Sequence, residues 1–238
     1  MLTASLQLSA IGMPSQITSF PLTPSIITLT GADERTNLDD LVRLVGRNQN
    51  VEIGLLYSAN TEGRNRYPSL EWLAQASAAL SGRCAIHVCG REARNRLVAG
   101  TITDLTNNAA RVQVNGRVEP GEVAAIAAKV TILLTQHTPA NDGLKDLRIY
   151  NHHLLVDDSG GAGKSPGQWI HPDTHKQVGF AGGLGPDNLE LELQKIMLVT
   201  RSAFWIDMES ALRTNDWFDL NACEAVLNAA KDHARGRE

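Results

Sequence analysis

Aromatic residues make up only 5% of this 238-residue chain, and cysteine occurs three times. Cys84, Cys89 and Cys223 form neither an even disulfide set nor a metal-ligand spacing. A core of this size needs no disulfide staples, and so few thiols suit a reducing cytoplasm. Long apolar runs are missing as well: none approaches the ~18 residues of a membrane span. The N-terminus lacks a basic start followed by an apolar core, so no signal peptide is expected. Strong charge is also absent. A net charge of −4 gives no electrostatic footprint for nucleic acid, and the small basic cluster Arg91, Arg94 and Arg96 reads as a solvated helix face. His152, His153, His171 and His175 have no partners in a zinc-like arrangement, so neither a metal nor a cofactor is expected.

What remains is an ordinary globular composition, 42% hydrophobic and 20% charged. Residues 1–25 are rich in Ser, Thr and Pro and read as an N-terminal extension; residues 26–238 carry the regular pattern. Short apolar or β-branched runs fall at 26–30, 51–58, 84–90, 110–116, 130–138, 152–157, 178–182 and 203–208. Helical patterns lie between most of them, over 37–46, 69–82, 91–100, 120–129, 188–199 and 220–234. The connections at 139–150 and 158–177 are poorly helical. Alternation of strand and helix implies parallel strands joined by crossovers. Eight such units in about 210 residues match the closure number of a (β/α)8 barrel. The expected fold is therefore α/β, a single TIM barrel with an N-terminal extension; a doubly wound open sheet is the alternative.

Strand side chains alternate, and the helix-facing side of a parallel barrel is apolar. Ile27 and Leu29 then face out and send Thr28 and Thr30 inward. The same rule turns His87 and Cys89 inward on the third strand, Gln113 and Asn115 on the fourth, and Asp207 and Glu209 on the eighth. On the sixth, the adjacent Asp157 and Asp158 leave the inward carboxylate undecided. Barrel active sites sit at the C-terminal strand ends, so this polar set marks the candidate site. His87, one layer deeper, reads as a hydrogen-bonded core histidine. Cys89 reads as a small core residue or a base.

One stretch organises the rest: LLVDDSGGAGKSPGQW at 154–169, then QVGFAGGLGPD at 177–187. Each apolar run ends in carboxylates or a glycine pair. The second is followed by Pro186, Asp187 and Asn188, residues typical of a helix start. A strand that stops at Gly182-Gly183 and opens directly into a helix would offer backbone N–H groups to an anion such as phosphate. Lys164, in the first loop, could assist.

These blocks resemble the phosphoribosylanthranilate isomerases, whose pattern is Leu-Leu-Asp, a Gly-Gly-Thr-Gly-Lys-Thr-Phe-Asp-Trp loop, then Ala-Gly-Gly-Leu-x-Pro-Glu-Asn. Weaker likenesses are IGLLYS…RYPSLEWL, VQVNG and IDMESALR. The resemblance spans 26 to about 230. It implies an aldose-to-ketose (Amadori) isomerisation of the tryptophan-biosynthesis type, in which a carboxylic acid protonates the ring oxygen and a cysteine thiolate removes the C2 proton. On this chain the acid falls on Asp157, with Asp158 as alternative, and the substrate-contacting arginine on Arg66. The phosphate site falls on Gly182 and Gly183, with Glu209, Ser210 and Ala211 as its second half. Gln113 and Asp207 complete the expected binding set.

Three parts of that pattern are altered. Where the family's first strand ends Lys-Ile-Cys-Gly, this chain has Thr28-Leu29-Thr30-Gly31, so the base falls on Thr30. A threonine hydroxyl is not a base near neutral pH without an activating partner. Glu209-Ser210-Ala211 replaces two serines and a glycine, placing a carboxylate beside the phosphate, where like charges ~4 Å apart repel by up to ~4 kcal/mol. Gly167-Gln168-Trp169 replaces Phe-Asp-Trp. The expectation is a diverged isomerase-like enzyme that binds a small anionic, sugar-phosphate-like ligand at the C-terminal rim. It would be a cytoplasmic monomer or homodimer with poor or absent activity on the family's usual substrate. The alternatives are a non-catalytic binding barrel, or an enzyme of different reaction using Asp207 or Glu209 as base.

Overall fold

Runs rich in Val, Ile and Leu that are apolar on the helix-facing side pair in parallel, and here eight of them close into a barrel in chain order. The computed structural model describes residues 23–61, 63–157 and 163–235. Most of the expected N-terminal extension, and Asp158, lie outside the described residues. The strands are β1 (Ile26–Thr30), β2 (Val51–Ser58), β3 (Cys84–Cys89), β4 (Arg111–Val114), β5 (Leu133–His137), β6 (His152–Asp157), β7 (Val178–Ala181) and β8 (Phe204–Met208). β1 pairs with both β2 and β8, setting Thr28 beside Glu52 on one side and Asp207 on the other. The open-sheet alternative is thereby excluded.

Helices α1 (Leu38–Arg47), α2 (Leu70–Ala79), α3 (Arg91–Ala99), α4 (Thr103–Thr106), α5 (Pro120–Ala127), α6 (Leu189–Val199) and α7 (Leu220–Arg235) lie outside. Their starts follow from local chemistry. The Asn37 side chain accepts from the backbone N–H of Asp39 and Asp40, and Ser69 accepts from Trp72. Glu119 and Glu122 form a capping box ahead of α5. The short α4 has no counterpart in the sequence reading.

Two crossovers depart from the helix pattern, as their sequences suggested. Residues Pro139–Asp146 form a 3-10 helix. No helix is described between β6 and β7; instead Trp169 is buried there, donates from Nε1 to Glu192 Oε2 at 2.7 Å and packs edge-on against Phe180. β5 begins at Leu133 rather than at 130 because the Asn151 amide donates to the carbonyls of Ala127, Val130 and Thr131 and holds that segment in a turn.

Two cores result. The larger lies between strands and helices and contains Leu29, Ile53, Ile86, Val114, Phe180 and Ile206. The smaller fills the barrel with Leu134, Leu155, Ala181 and Trp205. Gly179 leaves room for the Trp205 ring, where a Cβ would collide. Beside this plug lies a buried ion pair. Arg111 Nε donates to Glu52 Oε1 and Oε2 at 3.0 and 3.2 Å, its Nη2 bonds Glu52 and Thr28, and its guanidinium lies 4.9 Å from the Trp205 ring centre. Among the described residues no helix is long and apolar enough to cross a membrane.

Candidate functional site

The C-terminal strand ends surround a cavity of about 100 Å³. Thr30, Asp157, Gly183 and Glu209, drawn from four different strand ends, all line it, together with Gln113, Gly182, Asp207 and Ser210. The inward alternation read from sequence brings Thr30, Gln113 and Asp207 there; Asp157 ends β6, and Gly182, Gly183, Glu209 and Ser210 follow directly on β7 and β8. Arg66 and Lys164 do not line the cavity. Lys164 is exposed, and it is its backbone that approaches Gly183.

Asp207 occupies the floor. It is 6% exposed, and Thr30 Oγ1 donates to its Oδ1 at 2.6 Å. Gly54 on β2 permits this, because a side chain there would collide with the Thr30 hydroxyl. Burial pushes the Asp207 carboxyl up to about 7; the Thr30 bond and the Arg111 charge pull it down, while Glu52 and Asp157 push it further up. Thr30 is thus not an unassisted base. Its proton is committed to a carboxylate whose own titration falls near neutrality, where one group can serve as acid or base.

Asp157 ends β6 with its carboxylate in the cavity, and Gln136 Nε2 donates to its Oδ2 at 3.0 Å. Ala181 pairs with Asp157 on one side and Asp207 on the other, so the backbones of the two aspartates stand two strand spacings apart, roughly 10 Å, and their side chains converge on the one cavity. Glu209 stands at the rim. Arg66 Nη1 meets its Oε1 at 2.9 Å, so the arginine expected to contact substrate also balances the carboxylate expected to repel it. Burial raises the Glu209 carboxyl, Arg66 opposes that rise and Asp207 adds to it.

The glycine end differs from expectation in one respect. Gly182-Gly183 does not open directly into a helix: residues 185–188 form a turn, α6 starts at Leu189, and the N–H groups of Asn188 and Leu189 both go to Gly185 O, at 3.2 and 3.0 Å. Those N–H groups are therefore not offered to a ligand. Gly183 has φ +65°, and a Cβ there would strike the backbone of Lys164 and Ser165. The loop after β6 is held down by Ser165 Oγ donating to Gly183 O at 3.3 Å. Asn188 Nδ2 bridges Gly183 O at 2.8 Å and Ser165 Oγ at 3.2 Å. Ser210 faces Gly163 across the same mouth.

Cys89 does not line the cavity. Asn115 Nδ2 donates to its Sγ at 3.4 Å, and burial pushes the thiol up to about 11, so it is a neutral thiol rather than a base at neutral pH. Among the described residues no group of three or more His, Cys, Asp or Glu side chains is arranged to hold a metal ion.

Sequence reading missed two supports of the mouth. After β8, Ser210–Leu212 is a 3-10 turn leading into a hairpin of β9 (Arg213–Thr214) and β10 (Trp217–Phe218). Its signal was Asn215-Asp216, both at positive φ, the pair a tight primed turn favours. From it Arg213 Nη1 donates to Gly31 O at 2.7 Å and Nη2 reaches Asp33 Oδ2 at 3.3 Å, tying the mouth to the end of β1. The second is Gln136, inward by the same alternation, which also accepts from the Gly116 N–H at 2.8 Å.

No protein-family model matches the chain, and no curated protein matches it in sequence. Solved structures do. A TrpF from Jonesia denitrificans is 15% identical with a TM-score of 0.63, over 88% of this chain and 98% of that one. Phosphoribosyl anthranilate isomerases from Thermus thermophilus and Thermotoga maritima are 18% and 17% identical, with TM-scores of 0.61 and 0.59; each covers 87% of this chain and 98% of the other. At that identity the likeness is one of architecture, and the chain has the barrel fold of the phosphoribosyl anthranilate isomerases.

Proposed function

We propose that the protein is an isomerase-like enzyme that binds a small sugar-phosphate-like anion at the C-terminal mouth and moves a proton at the ligand's C2. Gly182, Gly183 and Ser210 hold the anionic end, with Lys164 near enough in the chain to add charge. Asp157 donates a proton to the ligand oxygen, and the C2 proton goes to Asp207, which takes the place of the cysteine of the resembling family. Thr30, in that cysteine's register, orients Asp207. The observation that carries this reading is the Thr30–Asp207 bond, 2.6 Å, on a buried carboxyl pushed up to about 7. Arg66 supports it by offsetting the Glu209 charge. A cytoplasmic setting agrees with three unpaired cysteines.

Two measurements test it. A thermal-shift screen of sugar phosphates should raise the melting temperature, and Gly183→Ala should abolish the rise. Complementation of a tryptophan auxotroph lacking the isomerase should fail or be weak, because Glu209 and Gly167-Gln168 alter the pocket for the family's usual substrate; robust growth would show that the pocket still accepts it. A second reading, a binding barrel without turnover, is favoured by the same register change, since Thr30 itself cannot act as the thiolate did. Stabilisation by a sugar phosphate without C2 proton exchange would favour it.

A further inference from the structure

One imidazole in the cavity has a nitrogen with no partner. His87, on β3, is 2% exposed and lines the cavity floor. Its Nε2 is buried without a hydrogen-bond partner and lies 4.0 Å from Asp207 Oδ2, beyond hydrogen-bond range. Its Nδ1 is 3.3 Å from Gln113 Nε2.

The amides fix the tautomer. Asn115 donates through Nδ2 to Cys89 Sγ, which leaves Asn115 Oδ1 as an acceptor; it takes the Gln113 amide at 2.9 Å. Gln113 therefore presents its NH₂ to both neighbours, and His87 Nδ1 accepts. A neutral imidazole that accepts at Nδ1 carries its proton on Nε2. Burial, the main influence on the ring, holds it neutral by lowering it to about 4; Glu209 and Glu52 oppose that lowering and Arg111 adds to it. The floor thus pairs an N–H donor with a carboxylate. A buried donor without an acceptor is unfavourable until a ligand oxygen or a water meets it.

We propose that His87 is a catalytic hydrogen-bond donor and that the ligand is an open-chain aldose phosphate, whose C1 carbonyl oxygen binds His87 Nε2–H. This rests on the reading of Asp207 as the C2 base. C2 and the carbonyl oxygen of an aldehyde are ~2.4 Å apart, so a donor and a base 4.0 Å apart can address both at once. As Asp207 forms a bond to the C2 proton, the C2–H pair becomes the C1–C2 double bond and the carbonyl π pair moves to O1. His87 stabilises that enediolate oxygen. Asp207 then returns its proton to C1, and the O2 hydroxyl proton passes to O1, giving the ketose with no atom gained or lost.

The test uses the full chain uniformly labelled with ¹⁵N and a defined probe, 5-phospho-D-arabinonohydroxamic acid, which mimics the enediolate. Free protein should show His87 as the Nε2–H tautomer, unchanged from pH 5 to 8; an Nδ1–H tautomer would overturn the assignment. The probe should shift the Gly182 and Gly183 amides and move the His87 Nε2 proton downfield. His87→Gln should weaken the hydroxamate at least tenfold and ribitol 5-phosphate, which lacks the carbonyl, less than twofold. A glycine response without a His87 response, or equal loss for both ligands, overturns His87 and leaves the phosphate reading standing. No glycine response overturns both. If His87→Gln fails to fold, the wild-type tautomer and probe shifts still decide.

Discussion

Asp207→Asn should make the protein more stable, and increasingly so as pH rises. In the folded chain the carboxyl is pushed up to about 7 from its ordinary value of 3.8. The folded state therefore holds a proton that the unfolded state releases, so stability is fully present below pH 3.8 and is lost as pH climbs to about 7. At 1.4 kcal/mol per pH unit the whole interval amounts to about 4 kcal/mol. Asparagine fills the same space, still accepts from Thr30 and never ionises. Between pH 5 and pH 8 the stability gap between variant and wild type should widen by about 3 kcal/mol, because two pH units of that interval are crossed. Urea unfolding at both pH values measures it. Parallel stability curves would mean that Asp207 titrates as an ordinary carboxylate, and the case for a base poised near neutrality would be lost. A gap that opens toward acid would reverse the sign and refute the burial argument.

Three further outcomes follow from neighbouring features. Arg111→Met should cost about 3–5 kcal/mol by leaving Glu52 buried and unpaired, and Glu52→Met in the same chain should recover most of it; chemical denaturation reads both. Gly183→Ala should cost about 1–3 kcal/mol and displace the loop over it, seen as lost stabilisation by sugar phosphates. Arg66→Ala should weaken inorganic phosphate binding at least tenfold by exposing the anion to Glu209, and adding Glu209→Gln should restore it; calorimetry checks the pair.

Alternation carried most of what was legible in the sequence. Because Ile27, Leu29, Ile86, Val88 and Val114 are apolar at every second position, the strand count, the barrel and the inward set with Thr30, His87, Gln113 and Asp207 could be read directly. What escaped depends on distances between strands. Nothing local says that Thr30 donates to a residue 177 positions away, or that Arg66 reaches Glu209. The helix expected from 188 begins at Leu189, but the turn ahead of it was not legible: the Gly185 carbonyl captures the Asn188 and Leu189 N–H groups that were expected to face an anion. His87 was read as an ordinary core histidine. The role proposed for it turns on the Gln113–Asn115–Cys89 chain of donors, which only the fold assembles.

The most direct measurement is deuterium exchange at C2 of ribose 5-phosphate in heavy water, followed by NMR. The account predicts incorporation with the wild-type protein and none with Asp207→Asn. Exchange that persists in Asp207→Asn, or no exchange by wild-type protein whose Gly183 amide responds to the sugar phosphate, would contradict it.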